Sequence, residues 1–350
     1  MAWEKEDNIN LAKYSTMHIG GIGKCLISME TPETDLLEIF ENVISSKCYY
    51  HILGEGSNSV FASDFPDTYF LQLSSREIHK IEETDQKVEL IVEGGCSWDD
   101  LVAYTVDHNL HGIEMMSAIP GTVAAAPVQN IGAYGGEFAD VCISVDVFDI
   151  HKKKYKTVSK QACDFEYRNS VFKQNPGRYV VYKARLLLQK NKEVSIPQYP
   201  EVAEYLEQHS ITDPTLADIR ETITNIRWGK LPKPSELPNC GSFFKNTIIP
   251  QEHCDKLLET HPDLKYFPRE DGLVKIPTGY LIDSLNLKGY RIGDMAVYEK
   301  HALVIVNCGK GTAPELLQLI ADIQKKVSLE YEISIESEVN IIMSPSSSWA

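Results

Sequence analysis

Hydrophobic positions along the chain fall into short segments with distinct periods. Thr31, Pro32 and Glu33 supply a hydroxyl, a proline and an early acid, the order that opens a helix. Leu36, Leu37, Ile39, Phe40, Val43 and Ile44 then recur on one helical face. His51-Ile52-Leu53 predicts a short strand running into the glycine turn LGEGSNSV at 53–60. Strand-like runs follow at 88–92 (VELIV), 143–148 (ISVDVF) and 179–188 (YVVYKARLLL). Between the first two, Ser97 with Asp100 three residues on predicts a helix opened by a capping box. The stretch 190–235, rich in proline and charge, is expected to cross between lobes. Leu316, Leu317, Leu319, Ile320, Ile323 and Val327 predict an amphipathic helix over 314–327. Alternation in IESEVNI places Glu336 and Glu338 on one face of a strand.

A chain of 350 residues is long for one core, so two or three lobes are expected. No apolar run approaches the ~20 residues of a membrane helix, and the opening MAWEKEDNIN carries charge where a signal peptide is apolar. Eight cysteines lie scattered without a CxxC pair, which reads as reduced thiols, no structural metal and a cytoplasmic setting. A net charge of −16 excludes nucleic acid and anionic membrane as natural partners. A small anionic substrate therefore needs a local basic patch. Arg220, Arg227, Lys230, Lys233 and Lys245 offer one against Glu221 and Glu236, although on charge alone a solvated basic face is the commoner explanation.

Two segments carry more specific chemistry. In LGEGSNSV, Gly54, Glu55, Gly56, Ser57 and Asn58 can turn backbone N–H groups and polar side chains toward an anion, although for the motif alone a plain tight turn is the commoner explanation. IPGTVAAAPVQNIGAYG (119–135) is a run of small residues broken by Gln129, Asn130 and Tyr134. Such a run lets backbone approach a flat ligand closely. Tight sheet packing would explain its glycines and alanines but not the polar residues among them.

Together these segments resemble the FAD-binding signature of the UDP-N-acetylenolpyruvoylglucosamine reductases, flavoproteins of the vanillyl-alcohol-oxidase type. The resemblance continues in order through FEYRNSVFK (165–173), IRWGKLPKP (226–234), NCGSFFKNTIIP (239–250), the segment 276–307 and ISIESEVNII (333–342). It implies an α+β fold with a two-lobed FAD-binding part, 1–69 and 70–225, and an α/β substrate domain, 226–343, followed by a loose tail, 344–350. It implies noncovalent FAD held by Gly54, Glu55, Gly56, Ser57, Asn58, Pro120, Gly121, Thr122, Gln129, Asn130, Gly132, Ala133, Tyr134 and Arg227. NADPH would be the hydride donor, visiting the substrate pocket since no separate dinucleotide-binding fingerprint is visible.

The implied substrate is UDP-N-acetylglucosamine enolpyruvate, met by a monomer. Ser242 would be the proton donor, with Arg168 and Glu338 completing the catalytic set. Tyr167, Lys230, Lys245 and Asn246 would contact substrate, and Tyr199, on a loop near 195–205, would close over it. Taken singly, Arg168 reads more readily as a structural ion pair and Ser242 far more readily as a turn or cap, while Tyr199 reads as readily as a surface residue. A flavin oxidase of the same fold and a catalytically silent flavin or UDP-sugar binder are the competing readings. Four positions depart from the family pattern: Met17, Ala124, Asn340 in place of an arginine, and His301 in place of a glutamine.

Overall fold

The computed structural model describes residues 3–44, 48–196 and 198–345. The chain separates into two compact units. One is formed by Met1–Ile9, Gly23–Glu55 and Phe65–Gly229, the other by Asn10–Ile22, Gly56–Asp64 and Lys230–Ala350. Among the described residues no helix is long and apolar enough to cross a membrane, and no group of His, Cys, Asp and Glu is arranged to hold a metal ion.

Besides the short pair Gly132–Ala133 with Gly136–Glu137, the described residues of the first unit form two main sheets. The smaller has the order Trp3–Asn10, Ile22–Met29, Phe65–Leu73, Tyr49–Leu53, and its last three strands are parallel. Parallel neighbours need a crossover, provided in part by the helix Pro32–Glu38 and the π turn Ile39–Val43, which bury Leu36, Ile39 and Phe40. Thr31 does not cap this helix through its side chain; its hydroxyl donates to the Asp35 carboxylate at 2.9 Å. The larger sheet is antiparallel, in the order Lys154–Ser159, Cys142–Asp149, Tyr179–Gln189, Lys87–Glu93, Ile78–Glu83. The helix Trp98–Asp107 buries Trp98, Leu101, Val102 and Val106 in one core with the strand residues Val88, Leu90, Val92, Leu186 and Leu188.

The predicted capping box at Ser97 does not form. The first N–H of that helix, from Trp98, instead donates to the Gly121 carbonyl at 2.8 Å. Asp99, one residue before the expected acid, accepts from Ala118 N at 2.6 Å and from the Arg220 guanidinium at 2.6 and 2.9 Å. The helix start is thus fastened to the small-residue segment. A second difference lies in 190–235, which contains two helices, Pro200–Gln208 and Leu216–Lys230. Val202, Leu206, Ile219 and Ile223 give them a small core of their own, against which Met115 and Tyr134 pack.

The second unit is built on an antiparallel sheet in the order Asn239–Ser242, Val304–Asn307, Met295–Val297, Arg291–Ile292. The helix Ala313–Tyr331 covers its core, longer than predicted and opened by a reciprocal Thr312–Glu315 capping box. Met17, Ile19 and Val60 join the same core as Phe243 and Phe244, and Ser59–Phe61 pairs in parallel with Asn340–Ile342. The first 69 residues are therefore not one lobe: two of their segments find their apolar and strand partners in the C-terminal unit, while 226–229 belong to the first unit. Residues 336–338 are not a regular strand either. Ser337 makes a single bridge to Phe244, while Glu338 N donates to Phe243 O at 2.8 Å and Lys245 N to Glu336 O at 3.0 Å. Of the tail expected to be loose, Ser344 is buried and its N–H donates to Ser63 Oγ at 2.8 Å; residues 346–350 lie outside the described residues.

Gly56 shows how tightly the glycine turn is fitted. Its φ is +67°, and a Cβ there would lie 1.9 Å from the Tyr14 carbonyl oxygen. Left-handed strain costs ~1–3 kcal/mol before any clash with backbone is counted. Gly56→Ala is expected to lower the thermal midpoint of the flavin-free protein by several degrees; a midpoint equal to wild type would show that Tyr14 and the turn can separate freely.

Candidate active site

In the first unit the two glycine-bearing segments meet directly. The Glu55 carboxylate accepts the Gly121 N–H at 2.9 Å, and a Cβ on Gly54 would sit 3.2 Å from Thr122 Oγ1. Beyond Pro120, the backbone of 121–126 is held by neighbours on several sides. Gly121 O accepts from Trp98, Val123 N donates to Cys96 O at 2.9 Å, and Ala124 N donates to Gly94 O at 3.0 Å. Farther along, Gly132–Ala133 pairs with Gly136–Glu137 around Tyr134 (φ +50°) and Gly135 (φ +84°). Two left-handed residues at such a corner match the twist of a tight hairpin. The Tyr134 ring meets Tyr199 edge-on, centroids 5.3 Å apart. Burial pushes the Tyr134 phenol up to about 12, with Glu201 adding to the shift. Tyr199 itself is 42% exposed, at the start of the helix Pro200–Gln208; Pro197, expected in the same loop, lies outside the described residues.

Arg168 occupies the corner of another tight turn. Glu166 and Asn169 exchange N–H···O bonds of 3.2 and 3.1 Å, leaving Tyr167 and Arg168 at the tip, and Arg168 has φ +55°. A non-glycine residue in this region is uncommon and needs surrounding support. Arg168 Nη2 donates to Gly132 O at 2.9 Å, and Lys173 Nζ donates to Arg168 O at 2.9 Å. Its guanidinium lies 5.4 Å from the centre of the exposed Tyr167 ring. Ser170 and Lys173 stand in the EYRNSVFK segment, yet their bracing of the turn depends on folded geometry and is not legible in the sequence. Arg227 projects from the helix Leu216–Lys230. Its Nε is buried and has no hydrogen-bond partner among the described residues, and burial lowers its pKa. Gln129 lies half-buried one residue before the fully enclosed Asn130.

The second unit presents the other candidate residues. Ser242 ends an edge strand whose register shifts between Asn239 and Ser242, with Gly241 at φ +69°. The following Phe243 and Phe244 are fully buried, so the half-buried serine is presented from a fixed wall. Ser57 and Asn58 follow Gly56, and Asn58 Nδ2 donates to the Glu338 carbonyl at 3.3 Å. Asn246 Oδ1 accepts from Thr278 N at 3.2 Å. Lys245 is ion-paired with Glu336 at 2.9 Å. Three of the five cations expected as a patch have acidic neighbours close by. Arg220 is bound by Asp99, Lys233 lies 3.5 Å from Glu236, and Lys245 has Glu336. Lys230, exposed, lies near His301, whose pKa is lowered by burial and further by that lysine.

Residues 233–342 match the UDP-N-acetylenolpyruvoylglucosamine reductase C-terminal domain, and residues 31–154 match an FAD binding domain. The chain is 40% identical over 314 residues to the UDP-N-acetylenolpyruvoylglucosamine reductase of Polynucleobacter asymbioticus, covering 89% of each. It is 35% identical to that of Flavobacterium johnsoniae and 34% identical to that of Pseudomonas aeruginosa, in both cases over 97% of this chain and the whole of the relative. It belongs to the UDP-N-acetylenolpyruvoylglucosamine reductase family. The crystal structure of the Thermus caldophilus member, 24% identical, shares its fold with a TM-score of 0.66 over 97% of this chain and 98% of that one. The α+β, vanillyl-alcohol-oxidase-type architecture expected from the motifs is the one observed.

As a member of this reductase family the chain is an FAD-dependent oxidoreductase, and the residues of the first unit suit that cofactor. A buried Arg227 Nε without a partner among the described residues awaits an acceptor, and Gly54 brings backbone close to Thr122, whose Oγ1 would lie 3.2 Å from a Cβ there. Two departures from the family pattern are absorbed by packing. Met17 is wholly buried in the core of the second unit, and Ala124 packs against hydrophobic residues of the first. Asn340, where the motif resemblance leads to the expectation of an arginine, donates through N and Nδ2 to Asn58 O at 3.0 and 3.2 Å. His301 receives the Leu303 N–H on Nδ1 at 3.3 Å. Replacing Arg227 by leucine removes the orphaned donor and the charge; restoring that kind of charge-assisted bond is worth ~1.5–3 kcal/mol. Arg227→Leu is expected to weaken FAD binding about 10- to 100-fold, measured by flavin fluorescence on titrating the flavin-free protein. Wild-type affinity would assign Arg227 to the fold alone.

Proposed function

We propose that this chain reduces UDP-N-acetylglucosamine enolpyruvate to UDP-N-acetylmuramate at the expense of NADPH. The observation that carries the reading is similarity to full-length reductases along 89–97% of the chain. When bound, FAD would supply the hydride-transfer chemistry between NADPH and the outer carbon of the enolpyruvyl double bond. The protein's own groups must then manage charge, proton and orientation.

Hydride addition leaves negative charge shared between the carbon bearing the carboxylate and the carboxylate oxygens. Arg168, a planar cation on a braced turn, holds that carboxylate and is most valuable where charge develops. Ser242 Oγ gives its proton to the same carbon, completing the reduction. An alcohol is a weak acid, so it serves here only because the carbon acceptor is strongly basic. Glu338, its backbone fixed by Phe243 and Asn58, orients donors at the reacting group. Lys230 and Asn246 contact the UDP portion, with Lys230 on the diphosphate. Lys245 contributes through its pairing with Glu336, which steadies the backbone between Ser242 and Asn246. Tyr167 lines the carboxylate end, and Tyr199, resting on Tyr134, closes over substrate and excludes water.

Ser242→Ala separates the two half-reactions. Bleaching of the flavin by NADPH requires no proton donor at the enolpyruvyl group and should proceed normally. Reoxidation by the UDP-substrate should slow by ~10²–10⁴-fold, the usual cost of losing a positioned acid. Anaerobic stopped-flow absorbance reads both phases, and equal slowing of the two would reduce Ser242 to a shaper of the pocket.

Lys230→Ala tests the diphosphate contact. The Michaelis constant for the UDP-substrate should rise about 10- to 100-fold, as expected for loss of a charge-assisted bond, while flavin reduction by NADPH keeps its rate. An unaltered Michaelis constant would leave Lys230 a solvated surface charge.

A further inference from the structure

Asn130 lies in the small-residue loop, where its neighbours suggested a contact to the cofactor. Its side chain is directed elsewhere. The residue is 1% exposed; Oδ1 accepts the Ala139 N–H at 3.0 Å, and Nδ2 donates to the Glu166 carbonyl at 3.2 Å. Its φ of +44° suits asparagine better than most residues. Glu166 opens the two-residue corner that carries Tyr167 and Arg168. On the far side of that corner, the wholly buried Ser170 donates from Oγ to the Val128 carbonyl at 2.6 Å. At the tip, Arg168 Nη2 reaches the Gly132 carbonyl. Alternate residues of the loop, 128, 130 and 132, are therefore joined in turn to 170, 166 and 168.

From this arrangement we infer that Asn130 is a positioning residue for Arg168, fixing the entry to its turn, and not a flavin ligand. The inference rests on the reading that Arg168 holds the substrate carboxylate. Asn130 Nδ2 ties the entry side of the corner to the loop; the Glu166 carbonyl keeps the Asn169 N–H, so loss of the tie lets the corner swing as a unit and carry the strained Arg168 backbone with it. The bonds at 128 and 132 keep the turn near the loop without fixing its direction. A misplaced catalytic cation weakens transition-state stabilisation while leaving hydride transfer from the nicotinamide untouched.

Asn130→Asp separates the two roles of this side chain in the FAD-loaded enzyme. Aspartate keeps the size, tolerates the left-handed backbone and still accepts from Ala139, but sets a carboxylate oxygen against the Glu166 carbonyl. Asn130→Gly removes the same tie without adding charge. Both variants are expected to retain FAD, with wild-type affinity by fluorescence titration, and to be reduced by NADPH at the wild-type rate. Reoxidation by the UDP-substrate should slow about 10- to 100-fold, the scale of an ångström-level misplacement. Arg168→Lys is measured alongside. If it reoxidises normally, the role given to Arg168 is wrong; if it is slow while both Asn130 variants are normal, the inference about Asn130 is wrong. Loss of flavin, or equal slowing of both half-reactions, in both Asn130 variants would also overturn it, by assigning Asn130 to the cofactor loop.

Discussion

A loop of glycine and alanine has no side chains with which to hold itself in place. The segment 119–135 can bring backbone close to a flat ring system only because other residues fix it from outside. Trp98 N and the Glu55 carboxylate take opposite ends of the Gly121 peptide groups, at 2.8 and 2.9 Å. Gly94 and Cys96 receive the next N–H groups. Asn130, a polar side chain fully enclosed in the loop, ties it to Ala139 and Glu166. Preorganisation of this kind removes the need to order the loop when a ligand binds, and so keeps that entropy cost out of the binding free energy.

The same bracing positions charge. In a protein of net charge −16 an anionic substrate depends on cations placed where it binds. Much of the basic window is committed to ion pairs, since Arg220, Lys233 and Lys245 each have an acidic neighbour. Arg168 Nη2 donates to a carbonyl, Gly132 O, a contact that orients the guanidinium without adding an opposing charge. Arg227 is a second cation near Tyr134, its pKa lowered by burial and further by the positive charge of Arg168. An anion bound beside them relieves that repulsion, which links cofactor or substrate charge to the stability of this part of the first unit.

Much of this is legible in the sequence because local pattern and motif agree. The run 179–188 forms the central strand Tyr179–Gln189, and the periodicity of 314–327 lies within the helix Ala313–Tyr331. Arg168, Ser242 and Glu338 stand out through their surrounding strings, not through their own chemistry, since each has a common structural explanation. What the sequence hides is long-range. Nothing local tells that Met17 and Val60 pack with Phe243 and Phe244, so the first 69 residues look like one lobe. The helix Leu216–Lys230 is obscured by the charge and proline around it, although Leu216, Ile219 and Ile223 share a face. At Ser97 the local rule loses to a tertiary one: the Gly121 carbonyl takes the first helical N–H, and Asp99 ties the helix start to Ala118.

Asn340, where the motif resemblance leads to the expectation of an arginine, supports its segment through hydrogen bonds. An arginine there would add charge, whereas asparagine adds geometry. Its two donors converge on the Asn58 carbonyl, while Asn58 Nδ2 turns to the carbonyl of Glu338. The parallel pairing of Asn340–Ile342 with Ser59–Phe61 continues the same seam. Glu338 is thereby held at its backbone from two directions, by Phe243 and by Asn58. Restraint applied through backbone orients a carboxylate without adding a charge beside it, whereas a guanidinium at the same place would also compete for its oxygens. The serine proposed to give the proton and the glutamate proposed to orient the site are in this way joined through one stretch of backbone, Gly241 to Phe244, whose two phenylalanines are anchored in the core.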